Sequence, residues 1–207
     1  MNVLINLVAV LALLVASFGQ ATTVSAGDVR KTEWQGVEAF FSNTDPSGCI
    51  VTQVGVFARD DMRHEPPEPG TTESLLALSI YQVNDCTGEQ LLFAEGYTWL
   101  DEGDLQISKK LQSATLNATV NLEDLGATPN FDVDVDLTWT ANEPAARSSS
   151  HSHLDQRGCK IISHWRGMSR FADVSGTVSV GTTNFTPETG SGSIFAGRGS
   201  DLFIGCE

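Results

Sequence analysis

Two segments near the middle of this chain alternate apolar and polar residues with a period of two. Over residues 114–122, Ala114, Leu116, Ala118, Val120 and Leu122 fall on one side, and Thr115, Asn117, Thr119 and Asn121 on the other. Over residues 131–140, Phe131, Val133, Val135, Leu137 and Trp139 are interleaved with Asp132, Asp134, Asp136, Thr138 and Thr140. Side chains two apart share a face only in an extended chain, so this period predicts strands rather than helices. Gly126 and Pro129 lie between the two runs and supply turn chemistry, which predicts an antiparallel hairpin with both apolar faces on one core.

The rest of the chain repeats the theme less cleanly. Strand patterns occupy residues 34–41, 49–58, 75–83, 90–100, 105–108, 160–166, 171–180, 182–186 and 202–204, and turn residues separate them. Residues 59–74 hold Pro66, Pro67, Pro69 and Gly70 and predict a long polar loop. Residues 141–158 are rich in Ser, Ala and His without apolar alternation, which predicts a loop excursion from the sheet. The glycine-rich run 190–199 is expected to be a flexible loop. No window carries a capped 3.6-residue pattern. The expectation is therefore one all-β domain over residues 27–207, an antiparallel β-sandwich, with a closed or partly closed β-barrel as the alternative.

Residues 1–26 read as a secretory signal peptide. An apolar stretch over residues 3–18 precedes the small residues Val24, Ser25 and Ala26, although the usual basic residue at the start is missing. Cleavage would leave 181 residues (207 minus 26) with no other apolar run of spanning length; an uncleaved anchor is the alternative. A secreted, extracellular location makes two disulfides the natural state of Cys49, Cys86, Cys159 and Cys206. Of the three connectivities, Cys49 with Cys86 and Cys159 with Cys206 is expected, because each pair joins a strand to a segment that returns beside it. Twelve basic against 26 acidic residues give a net charge of −14, which argues against nucleic acid or anionic lipid as partner.

Candidate chemistry is sparse. Asp132, Asp134 and Asp136 imitate the opening of a calcium-binding EF-hand loop, with Glu143 at the right distance. Leu137 stands where that loop needs glycine, and the flanks are strands. On a strand the three carboxylates form an acidic ladder with steps of about 6.7 Å, too spread for one compact calcium site. Lys160, His164 and Arg166 share a side of their strand and are expected to face this ladder, together with Asn and Thr from the hairpin partner. His151 and His153 would point the same way from an extended chain, and His164 or Asp155 could complete a zinc or copper site. Trp34, Trp99, Trp139 and Trp165 could stack sugars, but Trp139 and Trp165 fall on the expected core faces.

The segments VDVDLTWT at 133–140, HSH at 151–153, GC at 158–159, TNFTP at 183–187 and IGC at 204–206 together resemble secreted bacterial proteins of uncharacterised activity. The resemblance covers mainly the C-terminal half and implies an exported all-β fold, with no activity to carry over. No serine-nucleophile elbow, zinc-protease motif or phosphate-binding glycine loop is present, and no cofactor is implied. The sequence thus predicts a non-catalytic secreted protein, with an extracellular ligand-binding module for divalent metal or carbohydrate as the alternative.

Overall fold

The two alternating segments become β6 (Ser113–Asp124) and β7 (Phe131–Ala141), paired antiparallel with Leu122 opposite Phe131 and Ala114 opposite Trp139. In this computed structural model, residues 29–64, 71–124, 130–156, 158–187 and 191–205 are described. The expected signal peptide, residues 1–26, lies outside them. Leu116, Val120, Leu122, Val133, Leu137 and Trp139 have no exposed surface, whereas Asp132, Asp134 and Asp136 are exposed.

The other strands are β1 (Val29–Thr44), β2 (Ile50–His64), β3 (Thr71–Asn84), β4 (Glu89–Trp99), β5 (Leu105–Ile107), β8 (Ala146–Gln156), β9 (Cys159–Val180), β10 (Thr183–Phe185) and β11 (Ser191–Ile204). No helix occurs among the described residues, so none there is long and apolar enough to cross a membrane. Every pairing is antiparallel. The order runs β9-β11-β1-β2-β3-β4-β6, and β7 pairs with both β6 and β9, so the sheet curls round a single core. The β4–β6 seam is held by only two residue pairs, Ala94 with Asp124 and Glu95 with Glu123. The all-β antiparallel expectation holds.

Trp139 is the largest fully buried side chain. A buried indole N–H needs an acceptor, and this one donates to the carbonyl oxygen of Glu38 on β1 at 2.8 Å, tying β7 to β1 across the interior. Gly192 on β11 makes room for it: a Cβ there would stand 2.8 Å from the indole nitrogen and 2.5 Å from Val174.

At the opposite margin, Asp45 organises the β1–β2 turn. Its carboxylate accepts the backbone N–H of Ile50 at 2.9 Å and of Cys49 at 3.1 Å, and the Ser47 hydroxyl at 2.7 Å. The Ile50 amide, then the Ser47 hydroxyl, hold the carboxyl below its ordinary value of 3.8. Cys49 beside this turn is bonded to Cys86 in the β3–β4 turn, with Cα atoms 5.3 Å apart. Closing a segment with a sequence separation of 37 contributes about 3–4 kcal/mol on the loop-entropy account. Cys159 is also disulfide-bonded; Cys206, its expected partner, lies outside the described residues.

Three expectations about loops are corrected. Residues 146–156 are not an excursion but β8, zipped to β9 from Ala146 opposite Ser169 to Gln156 opposite Cys159. Its Ser and His residues show no apolar alternation because the strand is exposed on both faces, so nothing selects for a greasy side. The glycine-rich run belongs to β11, and the polar segment 59–74 is largely strand, with β2 reaching His64 and β3 starting at Thr71. The separate patterns at 160–166 and 171–180 join in one 22-residue strand, β9.

Replacing Trp139 by Ala should cost about 3–5 kcal/mol in a denaturant melt, as for other large core side chains. A loss below about 1 kcal/mol would show that the core does not close on this ring. For Asp45 the lowered carboxyl makes its stabilisation complete above 3.8. As pH falls through that value the unfolded chain takes up its proton first, and the contribution vanishes once the folded carboxyl protonates too. Calorimetry of Asp45→Ala should find a constant deficit in Tm above about pH 5 that narrows in acid; a deficit that widens would contradict this assignment.

Candidate functional site

Strand alternation carries the core-facing side of the sheet past the end of the core. Val37, Ala58, Leu76 and Ile194 are buried on this side, and Gln35, Asp60, Met168 and Ala196 form its half-buried margin. Beyond that row, β8 and the adjoining parts of β9, β11, β1, β2 and β3 continue as an open sheet with two solvent-facing surfaces.

The outer surface of this extension is aromatic. Trp34 on β1 and Trp165 on β9 reach across the intervening strand β11 and meet with ring centroids 5.1 Å apart. Trp34 stands opposite Gly197 and Trp165 opposite Gly199. A Cβ on Gly197 would lie 2.2 Å from the Trp34 ring, and one on Gly199 2.4 Å from the Trp165 ring. The glycines of β11 are there so that two indoles can lie over the backbone. Phe57 stacks on Phe195 at 5.8 Å, and the Arg59 guanidinium, paired with Asp61, lies 5.6 Å from the Trp34 ring.

The same surface continues to β4. Arg59 is opposite Leu75, which is opposite Trp99; Phe57 is opposite Ala77, which is opposite Tyr97. Tyr97 and Trp99 are 51% and 55% exposed, unusual for aromatics two apart on one strand. Three of the four tryptophans therefore lie on this outer surface. Trp165 does so against the expectation of burial: Ile161, Ser163 and Trp165 do share a side, but beyond the core's margin it is the side turned away from it.

Of the predicted metal ligands, His151 and His164 stand directly opposite each other, with rings stacked at 4.2 Å, while His153 faces Ile162 one step along. Face-to-face imidazoles direct their nitrogen lone pairs side by side rather than at one point. No three His, Cys, Asp or Glu side chains gather in a metal-holding group among the described residues.

The acidic ladder is placed as expected on β7, and of its expected partners the Asn and Thr of the hairpin partner are there but the cations are not. Asp134 accepts the Thr119 hydroxyl at 2.7 Å and Asp132 the Asn121 amide at 2.8 Å, so the hairpin partner supplies the compensation. The expected cations do not face it: Lys160, His164 and Arg166 lie in the half of β9 that pairs with β8 and β11, on the opposite surface of the strand.

The chain matches no protein-family model and no curated protein. Among solved structures it is similar to an acetoacetate decarboxylase-like enzyme from Sphingomonas wittichii RW1, at 10% identity over 93% of this chain and 98% of that one. The TM-score of 0.23 is too low to carry an argument about fold or activity.

Exposed hydrogen bonds to a carboxylate contribute little, so Asp134→Asn should shift stability by no more than about 0.5–1 kcal/mol. A calcium-dependent Tm in the native chain that Asp134→Asn abolishes would contradict this picture of the ladder.

Proposed function

We propose that this is an exported, non-catalytic binding domain whose outer aromatic surface takes carbohydrate. The observation that carries the reading is the strip from Trp99 and Tyr97 through Phe57 to Trp34 and Trp165, laid on the sheet with the Arg59–Asp61 pair in its midst. A pyranose ring has an apolar C–H face and a polar hydroxyl rim. Indole and phenol rings cover the first, and a guanidinium and a carboxylate offer donors and acceptors to the second. An exposed aromatic patch of this kind marks a binding surface rather than a surplus of core residues. The Cys49–Cys86 disulfide supports an oxidising, extracellular setting for such a domain.

The test is affinity electrophoresis and tryptophan fluorescence with neutral soluble polysaccharides: laminarin, xylan, galactomannan and dextran. At least one should retard the protein and shift its emission, and Trp99→Ala should weaken that binding about tenfold, the effect of losing one anchoring ring. The Tm of each variant is measured alongside, so that a loss of binding is read on folded protein. Absence of retardation by every polysaccharide, or retardation indifferent to a Tyr97→Ala, Trp99→Ala double variant, overturns the proposal.

A further inference from the structure

The core-facing surface of the extension, opposite the aromatic one, concentrates positive charge on a chain whose net charge is −14. Arg198 on β11 stands directly opposite Arg166 on β9, and Ser149 on β8 lies next in the same row. One step along the strands, His151, His164, Ser200 and Lys31 form a second row across β8, β9, β11 and β1. Arg147 flanks the first row on the other side. All six cationic or imidazole side chains named here are exposed. Glu33 is opposite Arg198, yet among the described residues no carboxylate lies within ion-pair distance of Arg147, Arg166 or Arg198. Like charges directly opposite on neighbouring strands destabilise a sheet, and two facing guanidinium groups are relieved when an oxyanion binds between them.

We propose that this surface binds an anionic polysaccharide, with sulfate or carboxylate groups repeated along the glycan as the recognised chemistry. The second row crosses four strands, about 14 Å, which exceeds one small oxyanion and suits successive charged groups on a polymer. The guanidinium fork matches both oxyanions bidentately. Nucleic acid fits less well: single-strand binders set aromatic platforms among their cations, and here the tryptophans occupy the opposite surface. The site is independent of the neutral-carbohydrate reading above, and the two can fail separately.

Titration of the full chain with heparin and with polygalacturonate, by calorimetry at low and at 0.5 M salt (screening length about 4 Å), tests the inference. One of the two should bind, more weakly at high salt, and the stronger arm identifies sulfate or carboxylate as the preferred group. Arg166→Gln with Arg198→Gln should weaken binding at least tenfold. Lys109→Gln with Lys110→Gln, an equal change of charge on an exposed turn, should leave it within about twofold. Ser149→Glu sets a carboxylate opposite Arg166 on an exposed strand and should also abolish binding, so the test survives if the arginine variant fails to fold. Trp99→Ala should have no effect on it. Binding of neither polymer, equal losses in the arginine and lysine variants, or tighter binding of single-stranded DNA than of both glycans would overturn the proposal.

Discussion

A strand within a sheet pairs its backbone amides and carbonyls along its two edges, and the 22-residue β9 does so with four different neighbours. One edge is taken by β8 and then, beyond the break at residues 142–145, by β7; the other by β11 and then by β10. β9 is therefore the shared element of two structures. Its second half closes the curled sheet round Trp139, and its first half is the middle of an open sheet beyond the core.

That division explains why chemistry changes sides along single strands. In the curled half Ala172, Val174 and Val178 of β9 face inward and are buried, while Asp173, Ser175, Thr177 and Ser179 between and beside them are polar and face outward. In the open half the same inward side carries His164 and Arg166, because nothing is left to pack against it. The outward side carries Trp165, sheltered by Trp34 and seated on Gly199. Amphipathy inverts where the core ends. A side chain's environment follows from what stands across from it, not from the parity of its strand alone.

The hairpin of β6 and β7 was legible residue by residue, since its alternation is complete and both strands bury one face on the same core. The Cys49–Cys86 bond was legible from turns that bring strand ends together. β8 was not, because its two exposed faces remove the periodic signal and leave only backbone pairing, which sequence does not display. β11 was hidden for a different reason. Its glycines look like flexibility, yet they mark close approach of Trp34 and Trp165 from strands distant in sequence, and only the register shows it. The aromatic surface was partly legible: Trp34 and Trp99 were candidates for sugar stacking, while Trp165 read as core-facing because it shares a side with Ile161 in a segment taken as a separate strand; joined to the parity of Ala172 and Val174 in the one strand β9, it falls outward.

Net charge gives equally little guidance to local fields. The ladder on β7 meets β9 around Thr177, eleven residues beyond Arg166 and so about 36 Å away along an extended strand. It also lies on the opposite surface of that strand. Physiological salt screens exposed charges over about 8 Å, so the aspartates scarcely reduce the potential felt by a ligand at Arg166 and Arg198. A chain with 26 acidic and 12 basic residues can thus present a cationic surface, provided the fold separates the two populations. Here strand alternation separates the β7 ladder from the Arg166–Arg198 row: the ladder aligns with Thr177 and Ser179 of β9, whose parity is opposite to that of Arg166, so the two face opposite sides of the sheet. The −14 total limits slow, long-range attraction of polyanions at low salt, whereas what binds at short range is decided by the few side chains in each row.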